Sequence, residues 1–328
     1  MRILLTGAAG FIGSSVSEAL LRRGDHVIGI DNLNDFYDPT IKEANLEAVR
    51  RTAAASTGRF DDVRADIVRD AERVEALFAA ADTRPDVVCH LAAWAGVRPS
   101  IQRPLIYQSV NLEGTVRLLE QCRKHDVRPF VFASSSSVYG ARKEVPFRET
   151  DPVDDPISPY AATKKSGELL GYTWHHLYGL HFVGLRFFTV YGPRQRPEMA
   201  IHKFAARILD GEPLSFFGDG STSRDYTYID DIVEGVVAAT DRAHGTPGYR
   251  IYNLGGSETT TLAELVAELE RALGKEALIE RLPDQPGDVP RTFADISRAK
   301  AELGYAPRTP VRLGLDRFVA WLKERRAA

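Results

Sequence analysis

A glycine-rich turn lies near the start of this sequence, where residues 7–13 read GAAGFIG between an apolar run at residues 3–6 and an amphipathic stretch at residues 11–23. Backbone can approach a pyrophosphate closely only where side chains are absent, and free N–H groups at the start of a helix bind the phosphate charge. The order strand, glycine turn, helix is therefore typical of a dinucleotide-binding unit. The next apolar run ends at Asp31, where an acid that binds the adenosine ribose is expected. Because a carboxylate accepts hydrogen bonds from ribose hydroxyls and repels a 2′-phosphate, the sequence favours NAD over NADP.

Strand and helix patterns alternate along the chain up to about residue 186 and then become less regular. Such alternation predicts crossover connections and a parallel sheet with helices on both faces, so we expect a Rossmann-type, doubly wound α/β fold. A chain of 328 residues exceeds what one compact core usually holds, and its loop-rich later part predicts a smaller C-terminal α/β substrate lobe. We assign residues 1–188 and 229–255 to the dinucleotide-binding domain, and residues 189–228 and 256–328 to the substrate domain.

The charge balance argues against several classes of partner. Forty-two basic and 45 acidic side chains leave a net charge of −3, which indicates neither a nucleic-acid-binding surface nor attraction to an anionic membrane. The sequence contains no run of about 18 apolar residues, so it predicts no membrane-spanning helix. The eight histidines and two cysteines lack metal-ligand spacing, so we predict no metal site. We expect Cys89 and Cys122 to be reduced, buried thiols of a cytoplasmic protein.

A tyrosine and a lysine stand four residues apart in a predicted helix at residues 159–178. That spacing places Tyr160 and Lys164 on one face of the helix. A tyrosine titrates near 10 in water, so to act as a base at neutral pH its pKa must fall by roughly three units. We expect the positive charges of Lys164 and of the nicotinamide ring both to favour the phenolate and so to lower the pKa of Tyr160.

These segments together resemble the extended short-chain dehydrogenase/reductases, and among them the NAD-dependent epimerase/dehydratase family. The resemblance rests on the GxxGxxG turn, on Asp66-Ile67, on the HLAA run at residues 90–93 and on YxxxK after ASSSSVYG. It implies that Tyr160, Lys164 and Ser135 are catalytic, with Ser135 donating a hydrogen bond to the substrate oxygen. It implies that NAD stays tightly bound, is regenerated in each turnover, and is held by Gly7, Gly10, Phe11, Ile12, Gly13, Asp31, Asn32, Asp66, Ile67, Leu91, Ala92, Ala93, Tyr160 and Lys164.

The downstream segments resemble those of enzymes that act on nucleotide sugars. The likeness implies that Phe217 stacks on uracil, that Arg224 pairs with the pyrophosphate, and that Asp288 meets the nucleotide ribose. The residues implied to bind substrate are Arg98, Ser135, Ser136, Ser137, Thr189, Arg196, Phe217, Arg224, Asp288 and Arg291.

Within the nucleotide-sugar epimerases, the resemblance is closest to the UDP-glucuronate 4-epimerases, over nearly the whole chain. It is carried by residues 31–38, 95–100, 186–197 and the serine cluster. Thr189 stands where UDP-glucose 4-epimerases usually have asparagine, and a small hydroxyl there suits a C5 carboxylate. The resemblance implies interconversion of UDP-glucuronate and UDP-galacturonate through a 4-keto intermediate, with transient reduction of NAD. Trp94 departs from the pattern, because that position often holds a smaller or polar residue.

Other interpretations remain open at this point. Related dehydratases and decarboxylases usually carry acids before VYG, where this chain has Ser136 and Ser137. The alternatives are a UDP-glucuronate decarboxylase, a UDP-glucose or UDP-N-acetylhexosamine 4-epimerase, and a non-catalytic cofactor-binding regulator. As in relatives, we expect a homodimer in which predicted helices at residues 105–125 and 159–178 pair across a two-fold axis.

Overall fold

The computed structural model describes residues 1–256, 258–283 and 289–327. In that part of the chain the strands are β1 (Arg2–Thr6), β2 (His26–Asp31), β3 (Arg59–Arg64), β4 (Val87–His90), β5 (Pro129–Ser135), β6 (His181–Phe187), β7 (Thr189–Tyr191), β8 (Pro213–Phe217), β9 (Ser223–Arg224), β10 (Tyr226–Tyr228), β11 (Tyr249–Leu254), β12 (Thr260–Thr261) and β13 (Leu278–Leu282). The helices are α1 (Phe11–Arg22), α2 (Pro39–Ala54), α3 (Ala71–Ala79), α4 (Val97–Gln102), α5 (Pro104–Tyr107), α6 (Gly114–Lys124), α7 (Pro159–Tyr178), α8 (Ala200–Asp210), α9 (Ile229–Gly245), α10 (Leu262–Leu273), α11 (Ser297–Leu303) and α12 (Val311–Ala327).

Seven strands form one parallel sheet in the order β11-β6-β5-β4-β1-β2-β3. This arrangement confirms the predicted Rossmann-type, doubly wound fold. The chain runs outward from β1 in both directions, so the strand order reverses between β1 and β4. A crevice forms beyond the carboxyl ends of strands at such a reversal, and ligands of open α/β sheets bind there.

Burial on both faces explains why the central strands β1 and β4 are nearly continuous apolar runs, whereas the edge strand β3, RFDDVR, is only partly buried. In β1, Ile3 and Leu5 belong to one hydrophobic cluster while Leu4 belongs to another. Successive side chains of a strand point to opposite faces, so each cluster lies on one side of the sheet. Both faces of the sheet are therefore covered by apolar side chains.

Three strand pairs lie outside the main sheet: β8 with β13 and β7 with β10, both parallel, and β9 with β12, which is antiparallel. Helix α10 packs between α8 and α12. Strand β11 returns to the main sheet and pairs with β6. The division of the chain into two domains at the boundaries given above stays a prediction.

The predicted helix at residues 105–125 is interrupted. Helix α5 ends at Tyr107, a π-helix follows at Gln108–Glu113, and α6 begins at Gly114. A π-helical turn holds one residue more than an α-helical turn and rotates the side chains that follow it. Here the side chain of Asn111, inside the π-helix, bonds both backbone polar groups of Trp94.

None of the helices in the described ranges combines the length and apolar character that crossing a membrane requires.

Candidate active site

The glycine turn packs against the loop that follows β4. Gly7 has a φ of +78°, and a Cβ there would lie 2.9 Å from the backbone nitrogen of Ala92. At Gly13, a Cβ would lie 2.0 Å from the carbonyl oxygen of Gly7. In the described residues no side chain caps the N-terminus of α1 at Gly10. The start of α1 therefore faces the crevice with its backbone N–H groups and the positive end of its dipole, as an anion site requires.

Asp31, the last residue of β2, is held by the backbone on both sides. Its Oδ2 accepts a hydrogen bond from the N–H of Ala9 (3.0 Å), and its Oδ1 accepts one from the N–H of Leu33 (2.9 Å). Burial raises the pKa of Asp31, and these two bonds oppose that rise. The neighbouring Asn32 donates to Asp66 (2.8 Å), which joins the ends of β2 and β3 at the predicted adenosine end of the site.

Tyr160 and Lys164 lie in the first two turns of α7, which Ser158 caps by accepting a hydrogen bond from the N–H of Ala161 (3.1 Å). The Lys164 Nζ donates to the carbonyl oxygen of Ala133 (2.6 Å) and lies 5.8 Å from the Tyr160 ring centroid. This geometry joins the start of α7 to the carboxyl end of β5, where Ser135 is the last residue.

Burial is the largest influence on the pKa values of both Tyr160 and Lys164. Burial raises the pKa of Tyr160, and the two groups that act to lower it are Ser135, by a hydrogen bond, and Arg196, by its charge. Burial also lowers the pKa of Lys164 to about 7, and its Nζ is bound to a backbone carbonyl. In the protein by itself, burial thus outweighs the groups that lower the pKa of Tyr160. The expectation that Lys164 and the nicotinamide ring together lower it stays a prediction.

One cavity of about 350 Å³ runs from the glycine turn to the start of β7. Every predicted cofactor residue lines it, as do Lys42, Phe36 and Tyr37, which the sequence reasoning missed. Asp38 caps α2 by accepting a hydrogen bond from the N–H of Thr40, and Lys42 of this helix lines the cavity. Lys42 then donates to the carbonyl and side-chain oxygens of Asn34 (2.7 and 2.8 Å). Residues 31–38 are rich in Asp and Asn, and this composition is the sequence feature that could have predicted this wall of the cavity.

The predicted substrate residues fall into two groups. The first group lines the cavity beside Tyr160 and consists of Ser135, Ser136, Ser137, Thr189 and Arg196. The Oγ of Ser135 donates to the Oγ of Ser137 (3.1 Å), so the hydroxyls form one polar surface.

The second group lies outside the described cavity walls. The Arg98 guanidinium is 6.0 Å from the Phe217 ring centroid, so these two predicted residues meet. Arg224 is in β9, and the adjacent Ser223 pairs with Arg291 through a β-bridge, which brings the two arginines to one edge. Asp288 lies outside the described residues.

Comparison with known proteins agrees with this geometry. The model of the NAD dependent epimerase/dehydratase family matches residues 3–255. The chain belongs to the NAD-dependent epimerase/dehydratase family. The expected resemblance is thus confirmed, and the matched range contains the glycine turn, Asp31, Tyr160 and Lys164.

Relatives within the family include UDP-glucuronate 4-epimerase 4 of Arabidopsis thaliana, 47% identical, with 97% of this chain and 74% of the relative covered. Among solved structures, UDP-glucuronic acid 4-epimerase from Bacillus cereus in complex with UDP-glucuronic acid and NAD is 38% identical, with a TM-score of 0.88 and coverage of 99% and 100%. UDP-glucose 4-epimerase from Thermotoga maritima with UDP-glucose is 34% identical, with a TM-score of 0.87 and coverage of 99% of both chains.

The residues of this chain fit the cofactor of the family. The turn at Gly7 and Gly13 is too close-packed for side chains, α1 begins at it without a side-chain cap, and Asp31 stands at the end of β2. These are the parts that a dinucleotide needs for its pyrophosphate and adenosine ribose. In the described residues no cluster of His, Cys, Asp or Glu suited to a metal ion occurs.

Proposed function

We propose that this protein is an NAD-dependent UDP-glucuronate 4-epimerase that interconverts UDP-glucuronate and UDP-galacturonate. The observation that carries the proposal is the composition of the cavity around Tyr160. There the described walls contain the hydroxyls of Ser135, Ser136, Ser137 and Thr189, whereas the carboxylates, Asp31 and Asp66, line the far end at β2 and β3. The names of the relatives and structural neighbours support the same substrate.

Tyr160 acts first, by taking the proton of the C4 hydroxyl. Bound NAD supplies the acceptor of the C4 hydride and later its donor. Ser135 donates a hydrogen bond to the C4 oxygen and to the Tyr160 oxygen in turn, which keeps the proton path aligned. Lys164, fixed on Ala133, holds positive charge near the phenol ring. Once the keto-sugar has turned about its pyrophosphate, so that C4 could be reduced from its opposite face, Tyr160 would return the proton to the C4 oxygen.

Neutral hydroxyls near C5 suit a uronate intermediate. Oxidation at C4 makes a β-keto acid, which loses carbon dioxide when the carboxylate bond aligns with the carbonyl π system. We infer that Ser136, Ser137 and Thr189 hold the carboxylate out of that alignment without adding an acid or base. A dehydratase needs a carboxyl group for elimination, and the described wall beside Tyr160 contains none.

We propose that the protein acts as a cytoplasmic homodimer. Leu105 of α5 is 78% exposed, and Leu169 and Tyr172 on one face of α7 are 55% and 54% exposed. Exposed apolar side chains grouped on neighbouring helices favour an interface with a second copy. Cys89 and Cys122 are buried free thiols, which agrees with a reducing compartment.

The test is to incubate the purified protein with UDP-glucuronate without added cofactor and to identify the products by chromatography. We expect UDP-galacturonate, and we expect UDP-glucose to turn over more slowly in a parallel reaction. UDP-xylose as the main product would indicate a decarboxylase, and faster turnover of UDP-glucose would indicate a hexose epimerase. Bound NAD without turnover of either sugar would indicate a regulator. Each of these three results contradicts the proposal.

A further inference from the structure

Four aromatic rings form a continuous row from Phe36, which lines the cavity, to the catalytic Tyr160. Phe36 and Trp94 lie 5.1 Å apart between centroids, Trp94 and Tyr107 lie 6.3 Å apart, and Tyr107 and Tyr160 lie 6.2 Å apart. All three pairs meet edge to face, the orientation that the aromatic quadrupole favours. The row of rings joins the loop after β2 to the loop after β4 and then to α7.

Trp94 is the most firmly held residue in this row of rings. Its side chain is buried, with 5% of the residue exposed. Its backbone N–H donates to the Asn111 Oδ1 (2.8 Å), and the Asn111 Nδ2 donates to its carbonyl oxygen (2.9 Å). Arg103 lies 5.0 Å above the Trp94 ring. Held at its backbone and on its ring, Trp94 is a rigid surface on which another segment can pack.

That other segment is the loop at residues 32–38, which forms one wall of the cavity. The base of the loop is held where Lys42 donates to Asn34, but its half-buried tip residue, Phe36, contacts two other segments. On one side Phe36 packs on Trp94, and on the other the Arg196 guanidinium lies 5.5 Å from its ring centroid. Phe36 thus connects the loop to the opposite walls of the cavity.

We propose that Trp94 is a positioning residue that anchors the Phe36 loop over the cofactor end of the cavity and slows the release of NAD. The inference rests on the proposed function, because it requires NAD to occupy the cavity between turnovers. The loop begins directly after Asp31 and lines the cavity with Asn34, Phe36 and Tyr37, so a contact that anchors the loop opposes the release of a dinucleotide bound beside it. Movement of the loop separates Phe36 from Trp94. Without the Trp94 ring, Phe36 loses this packing surface, so the loop moves more readily and NAD is released faster.

The test measures NAD release rather than activity. The purified holoenzyme is mixed with isotopically labelled NAD, and exchange of the bound NAD is followed over time for wild type, Trp94→Ala, Phe36→Ala and the double variant. We expect either single variant to release NAD about tenfold faster, which corresponds to roughly 1.4 kcal/mol. The double variant should be no faster than the single variants, because one contact is lost in all three. Trp94→Phe, which keeps a ring, should recover most of the retention.

Trp321→Ala is the matched control, because this tryptophan packs on His202 and Phe318, away from the cavity. Its exchange rate should equal that of wild type. Should Trp94→Ala fail to fold, Phe36→Ala at the half-buried loop tip carries the test. Unchanged exchange in Phe36→Ala, or additive effects in the double variant, would overturn the role of Trp94 while leaving the proposed function intact. If the wild-type protein retains no NAD, the proposed function fails first.

Discussion

Among single substitutions, we expect the largest loss of stability from replacing either residue of the buried ion pair between Glu168 and Arg186. Glu168 lies one helical turn after Lys164 in α7, and Arg186 is in β6. The Arg186 Nε and Nη2 donate to the two carboxylate oxygens of Glu168 at 2.8 Å each, and the Oγ of Ser134 donates to Glu168 at 2.6 Å. Both charged side chains are at most 3% exposed.

Removal of Glu168 leaves the buried charge of Arg186 without this counter-ion, and removal of Arg186 leaves the buried Glu168 with Lys165, whose Nζ lies 3.6 Å away. Glu168→Leu leaves the guanidinium of Arg186 without a carboxylate partner, although it still donates to the Tyr139 hydroxyl (3.0 Å) and lies 4.9 Å from the centroid of that ring. Breaking a buried pair in this way costs about 3–5 kcal/mol. Replacing both partners by apolar residues of similar volume is often neutral, so Glu168→Leu with Arg186→Met should regain most of the lost free energy of unfolding.

The assay is urea unfolding followed by circular dichroism for wild type, both single variants and the double variant. We expect the single variants to lose about 3–5 kcal/mol and the double variant to lose less than either. Losses that add in the double variant would show that the two charges act independently. Single losses below about 1 kcal/mol, the range of exposed pairs, would refute the reasoning from burial.

Three further outcomes follow from the site. Tyr160→Phe should abolish turnover of UDP-glucuronate while the purified protein still contains NAD, and retained turnover would exclude Tyr160 as the base. Thr189→Asn should weaken the preference for UDP-glucuronate over UDP-glucose in paired kcat/KM measurements, and an unchanged ratio would place the carboxylate elsewhere. Burial lowers the pKa of Lys164 to about 7 in the folded protein, against about 10.4 in the unfolded chain, so between these values the unfolded chain binds more protons and the free energy of unfolding rises with pH. The stability advantage of Lys164→Met over wild type should therefore shrink from about pH 7 to about pH 10, and an advantage that is independent of pH would contradict the lowered pKa.

Local patterns were sufficient to predict the parts of the site that lie next to each other in the chain. The strand, turn and helix around Gly7 and Gly13 depend on backbone conformation and close approach, which residue type specifies directly. Tyr160 and Lys164 share a helix face because they are four residues apart. The parallel sheet follows from alternation of buried strands with amphipathic helices, since crossovers of this kind close in one hand.

Contacts between segments far apart in sequence were decided by the folded structure alone. The π-helix that turns Asn111 toward Trp94, and the meeting of Phe36 with Trp94, depend on where three separate crossovers bring their loops. The pKa shifts of Tyr160 and Lys164 in the protein by itself depend on the folded structure in the same way. Spacing along α7 showed which charge stands nearby, but the dielectric surroundings of that charge, and its bond to Ala133 on β5, exist only when helix and sheet have packed together.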